Sequence, residues 1–236
     1  MRIPASQRAS RAAFWARLRR SLWQPPRPHG EQPRERVVGP LELFYDLAVV
    51  VLVAQAAHHL AEHLTWPGLG EFAAVFTLVW IAWANGSLHH ELHGHDDARA
   101  RSTFLLQILL LVAMAAFIPE AGGERGAAFA VAAGVLFAVL AVLWLLAARG
   151  DRPQYRRTSG LFVTGTAACA AALAATALLP ASARETLTGV VGGQASQPVS
   201  ALTTAVGLVA VVVGFGQRSR PARHPPGVEV SGLSLV

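Results

Sequence analysis

Two carboxylates stand one helical turn apart at the head of an apolar run: Glu42 and Asp46, in Pro40-Leu-Glu-Leu-Phe-Tyr-Asp46, lead directly into Leu47 to Ala54. A charged side chain at mid-membrane costs roughly 2.5–3.5 kcal/mol on insertion scales, and less near a helix end. Something else in the chain must offset it. The residue types that can do so are Asn85, Gln107, Arg99 and Arg101, and further acids lie nearby at Asp96 and Asp97. Together they have the chemistry of an ion or proton pathway, which intramembrane carboxylates often mark. The alternative is that they only hold neighbouring helices together by hydrogen bonds. Histidines raise metal chemistry as a second possibility. His58, His59, Glu62 and His63 form one group, and His89, His90, Glu91, His93 and His95 form another beside Asp96 and Asp97. His59 and His63 have the four-residue spacing of a shared helix face, but neither group has a zinc-protease pattern. They are expected to be solvated at the membrane surface, with no metal and no cofactor. There is no Gly-rich phosphate loop, nucleophile elbow or Walker motif, so no enzyme is expected.

The elements that must position these residues follow from composition. The chain has 236 residues, 53% hydrophobic and only 14% charged, which is too apolar for a soluble domain of this size. All 20 basic residues are arginine. A high pI can signal nucleic acid, but here the arginines punctuate hydrophobic segments rather than gathering on one face, so no nucleic-acid partner is expected. The single cysteine, Cys169, leaves no internal disulfide. A membrane span needs about 20 mostly apolar residues, and six stretches qualify: about 41–61, 69–90, 102–119, 127–148, 159–180 and 199–216. The sequence therefore predicts an all-α, polytopic transmembrane bundle over residues 39–216. A basic, Pro-rich segment (1–38) precedes it and a disordered tail (217–236) follows.

Arginine placement sets the expected topology, because cytoplasmic loops are enriched in Arg. Eighteen of the 20 arginines fall in the N-terminal segment, the second and fourth loops and the tail; only Arg125 and Arg184 fall in the odd-numbered loops. Six spans with both termini in the cytoplasm satisfy this alternation. The N-terminal segment lacks the apolar core of a secretory leader. Its residues 5–23 read either as a basic helix on an anionic leaflet, with Phe14, Trp15, Leu18 and Leu22 on one side, or as a polar tail. The fourth span, almost pure Ala, Val, Leu and Phe, is expected to face lipid. The Ala- and Gly-rich fifth span is expected inside the bundle, where small residues permit close approach. In this topology Asp46 lies roughly 8 Å into the first span at 1.5 Å per residue. Asn85 and Gln107 sit at the same depth on the second and third spans, with Glu42, Asp96, Asp97, Arg99 and Arg101 towards the cytoplasmic end.

Pro40-Leu-Glu-Leu-Phe-Tyr-Asp-Leu47 resembles the opening motif of the bacterial low temperature requirement A family, LtrA. The likeness runs in order through Trp80-Ile-Ala-Trp83-Ala-Asn85, Asp96-Asp97, Arg99, Arg101, Met114-Ala115 and Ile118-Pro119-Glu120-Ala121. A second patch, Arg184 to Val191, is similar to the family's Gly-Glu-Ser/Thr segment, and Ser200 to Gly216 to the span after it. The resemblance implies a multi-pass protein of the bacterial inner membrane, here a shortened member. Phe44-Tyr45-Asp46 also resembles the Phe-Ser-Asp triad that opens spans in the lysosomal potassium channel family, which favours conduction. The expectation is a transporter or ion-conducting protein of unspecified substrate; the competing one is a non-transporting membrane-stress factor or assembly partner. Six spans with a thin polar interior are too few to enclose a pore, so a homo-oligomer in the lipid bilayer is expected.

Overall fold

The computed structural model describes residues 13–15, 17–18, 25–28, 39–62, 64–94, 97–120 and 125–178. Its main elements are five helices: α1 (Pro40–Glu62), α2 (Trp66–His93), α3 (Ala98–Phe117), α4 (Gly126–Gly150) and α5 (Arg156–Leu178), with a 3-10 turn, Ile118–Glu120, closing α3. Among the described residues there is no strand. All five helices are long and apolar enough to cross a membrane, and the chain is a multi-pass membrane protein. The sixth expected span, Glu185 and the C-terminal tail lie outside the described residues.

Local chemistry explains where the helices start. Thr65 caps α2, its Oγ1 accepting from Gly68 N at 3.1 Å, and a proline occupies the first turn, where its missing N–H costs nothing. Asp97 caps α3, its Oδ1 accepting from Ala100 N at 2.9 Å. Glu42 reaches back so that Oε2 accepts from Gly39 N at 3.1 Å, the reciprocal half of a capping box. Short connections make consecutive helices antiparallel, so α1, α3 and α5 begin where α2 and α4 end. This is the arginine-rich end of the bundle. The two histidine groups accordingly lie at opposite ends.

The core departs from expectation in two helices. The fourth span, expected to face lipid, is the central one: α4 packs against α5, α3 and α2, while α1 packs against α2 and α3. In its most apolar stretch 56% of the residues of α4 are buried, against 22% in α5, and Phe129, Leu136, Phe137, Leu140 and Trp144 are fully enclosed. Lipid tails are as apolar as leucine, so lack of polar groups does not drive a helix outward; packing does. The small residues of α5 instead let one of its faces press on α4. At Gly134 of α4 a Cβ would already lie 3.4 Å from Leu173 Cβ and 3.6 Å from Ala170 O. Cys169 is buried in this packing.

Candidate functional site at the arginine-rich end

Inside the bundle, α1, α2 and α3 bring oxygen atoms together around Gly86. A Cβ at Gly86 would lie 2.7 Å from Tyr45 Oη and 3.0 Å from Gln107 Oε1. Only glycine lets both approach the α2 backbone this closely. Tyr45 is buried, its hydroxyl donating to Ala82 O at 3.4 Å and its ring set edge-on to Phe104 with centroids 5.7 Å apart. Gln107 and its α2 counterpart Asn85 are 3% and 7% exposed. Each donates its amide N–H to the carbonyl one turn back, Gln107 to Thr103 O at 3.2 Å and Asn85 to Ile81 O at 2.8 Å. A carbonyl only accepts, so these bonds fix which end of each amide is nitrogen. Among the described residues, Gln107 Oε1 and Asn85 Oδ1 are buried without a hydrogen-bond partner.

Asp46 does not join this interior set. It is one residue, about 100° of helix, round from Tyr45, and it is exposed on the outer face of the bundle. There its Oδ1 accepts from Trp83 Nε1 at 2.7 Å, and Trp83 continues an aromatic row on α2 through Trp80, Phe76 and Phe72. The reading of Asp46 as the buried carboxylate of the cluster is thus corrected. Its helix phase turns it outward. Glu42 sits half-buried at the rim, its Oε1 3.0 Å from His90 Nε2, and the His90 ring packs edge-on to Phe104 at 4.5 Å.

A second buried cluster lies deeper in the end cap, between α2, α4, α5 and the N-terminal segment. His93 and Asp151 are both 0% exposed, with Nδ1 3.9 Å from Oδ1. Ser159 Oγ donates to the other oxygen of Asp151. His93 Nδ1 donates to Arg27 O at 2.7 Å, while Arg27 N donates to His93 O at 3.2 Å and its guanidinium to Glu91 O at 3.1 Å. Arg27 thereby satisfies carbonyls that the end of α2 would leave open and places a cation where the helix dipole favours one. His89 Nε2 donates to Leu143 O at 3.2 Å. Its ring and that of His93 stand edge-on to Trp144, which stacks on Phe162 with centroids 4.2 Å apart.

Of the residues singled out in the sequence, Asn85 and Gln107 lie in the interior, Glu42 at the rim and Asp46 outside. Asp97 is a buried helix cap, Arg99 is partly buried and Arg101 is exposed on the first turn of α3; Asp96 lies outside the described residues. His89 and His93 are not solvated loop residues. Helix α2 runs on to His93, three residues beyond the expected end, and carries both into the packing. The i, i+4 spacing of His89 and His93 was the available signal. Asp151 carried none, since its partner His93 is distant in sequence, and Ser159 meets it only across the α4–α5 turn. His58 and Glu62 pair at 3.4 Å on an exposed surface. Among the described residues no three His, Cys, Asp or Glu side chains converge as metal ligands.

Residues 37–223 match the family described as bacterial low temperature requirement A protein, LtrA. The chain belongs to the LtrA family. No curated protein and no solved structure matches it. In this LtrA chain the matched region takes in all five described membrane helices, and with them Tyr45, Asn85, Gly86 and Gln107 as well as the His93–Asp151 cluster. The N-terminal residues 25–28, which cap α2 through Arg27, lie before it.

Proposed function

We propose that this LtrA protein conducts or transports an ion across the bacterial inner membrane. In this reading both termini are cytoplasmic, the chain works as a homo-oligomer, and it has no enzymatic activity and no bound cofactor. The observation that carries the reading is the pair of buried amide oxygens, Asn85 Oδ1 and Gln107 Oε1, without donors among the described residues of a membrane bundle. Leaving a polar group buried and unmet costs about 1–3 kcal/mol, and a bundle that only needed packing is better served by leucine. Polar groups kept inside a membrane at such a cost are functional by default. Purified protein in liposomes tests this: flux of K⁺, Na⁺ or H⁺ is expected, lost in Gln107→Leu and retained in Asp46→Asn. Loss in Asp46→Asn alone moves the route to the outer α1–α2 face and overturns the interior one.

A second reading, a non-transporting membrane-stress factor or assembly partner, is favoured by the His93–Asp151–Ser159 cluster and the Glu42–His90 contact, which tie helix ends together. Folded protein with no flux of any of the three ions selects it.

A further inference from the structure

We propose that the oxygens at the α1–α2–α3 junction form a binding site for a dehydrated monovalent metal cation, with Gln107 Oε1 and Tyr45 Oη, which meet beside Gly86, as its polar wall. The inference rests on the ion-handling reading above for its purpose, and on the donor set for its chemistry. Each amide spends one N–H on its own helix, and the Tyr45 hydroxyl lies 3.4 Å from Ala82 O as donor. The atoms left without a partner among the described residues are the two amide oxygens. An anion gains nothing from the two amide oxygens, whose lone pairs repel it. A proton needs a basic atom, and an amide oxygen is not one at physiological pH. A divalent cation takes carboxylates among its six to eight oxygens, and the carboxylate at this level, Asp46, is turned to the outer face. A monovalent cation is the remaining class, because neutral carbonyl oxygens replace its hydration shell without the need for a full opposing charge. Gly86 contributes by absence: a side chain there would occupy the point where Tyr45 Oη and Gln107 Oε1 meet.

The test is equilibrium binding of radioactive rubidium, and of thallous ion in competition, to purified full-length protein in detergent. Saturable binding is expected, displaced by other monovalent metal ions but not by Mg²⁺ or choline. Binding weakens at least tenfold in Gln107→Leu, is unchanged in Asp46→Asn, and in Gln107→Glu tightens and extends to Ca²⁺, since a carboxylate then joins the wall. If Gln107→Leu does not fold, Gln107→Glu decides by that gain. Absence of saturable binding, or Gln107→Leu and Gln107→Glu both binding as the parent does, means that water alone meets these oxygens and overturns the proposal. Saturable binding without flux in liposomes overturns conduction and leaves the site standing. Flux with no effect of either Gln107 variant on binding overturns the site and leaves conduction standing.

Discussion

Replacing Gly86 with alanine probes the helix junction directly, because the added methyl is placed against named atoms. Its Cβ lies 2.7 Å from Tyr45 Oη and 3.0 Å from Gln107 Oε1, both well inside van der Waals contact. The Gln107 amide can turn by a few tenths of an ångström. The Tyr45 ring is 1% exposed and held edge-on by Phe104, so its hydroxyl yields only if the ring moves. Overpacking of this kind costs about 1–3 kcal/mol, set against about 1 kcal/mol gained from the better helix propensity of alanine. The substitution is therefore expected to be destabilising by about 1 kcal/mol in the parent protein. In a Tyr45→Phe background the nearest oxygen is gone, and the same substitution should become neutral or stabilising. A double-mutant cycle, read from reversible SDS-induced unfolding in mixed micelles, should give a coupling of about 1–2 kcal/mol. Additivity within about 0.3–0.5 kcal/mol, the range for sites without shared contacts, refutes the close approach of α1 to α2 at this point.

Three further outcomes follow from the packing. Asp151→Ala takes away the acceptor of the buried Ser159 hydroxyl, while His93 keeps Arg27 O; a loss of about 1–3 kcal/mol is expected, and an unchanged unfolding midpoint contradicts the cluster. Asp46→Asn keeps an acceptor for Trp83 Nε1 and is expected to change stability by no more than about 0.5 kcal/mol, as surface changes do, whereas Trp83→Phe loses the donor and should cost about 1 kcal/mol; equal effects of the two argue against that bond. Gly134→Leu drives a side chain into the α4–α5 seam against Leu173 and Ala170 and should cost about 1–3 kcal/mol, measured in the same unfolding assay; no change means that the seam is not closed at Gly134.

Most of the fold was legible because membrane spans announce themselves by length and apolarity alone. The expected 41–61, 102–119 and 127–148 differ from Pro40–Glu62, Ala98–Phe117 and Gly126–Gly150 only by a few residues at their ends, where caps rather than hydropathy decide. What composition could not give is rotation about the helix axis. These helices are apolar on nearly every side, so no stripe says which face turns inward, and Asp46 was expected inside but lies on the outer face. The same blindness reversed the roles of α4 and α5. Burial of His93 was hidden for a different reason: its partners Asp151 and Arg27 come from distant parts of the chain, and only the packed ends of α2 and α4 bring them together.

The central claim, that polar oxygens kept inside this bundle serve an ion, is tested most directly by cation flux into liposomes carrying the purified protein, compared with liposomes carrying Gln107→Leu at equal reconstitution. The account predicts flux of a monovalent cation well above protein-free liposomes and a fall of at least tenfold in the variant. Flux that is equal in parent and variant, or absent for K⁺, Na⁺ and H⁺ alike in folded protein, contradicts it.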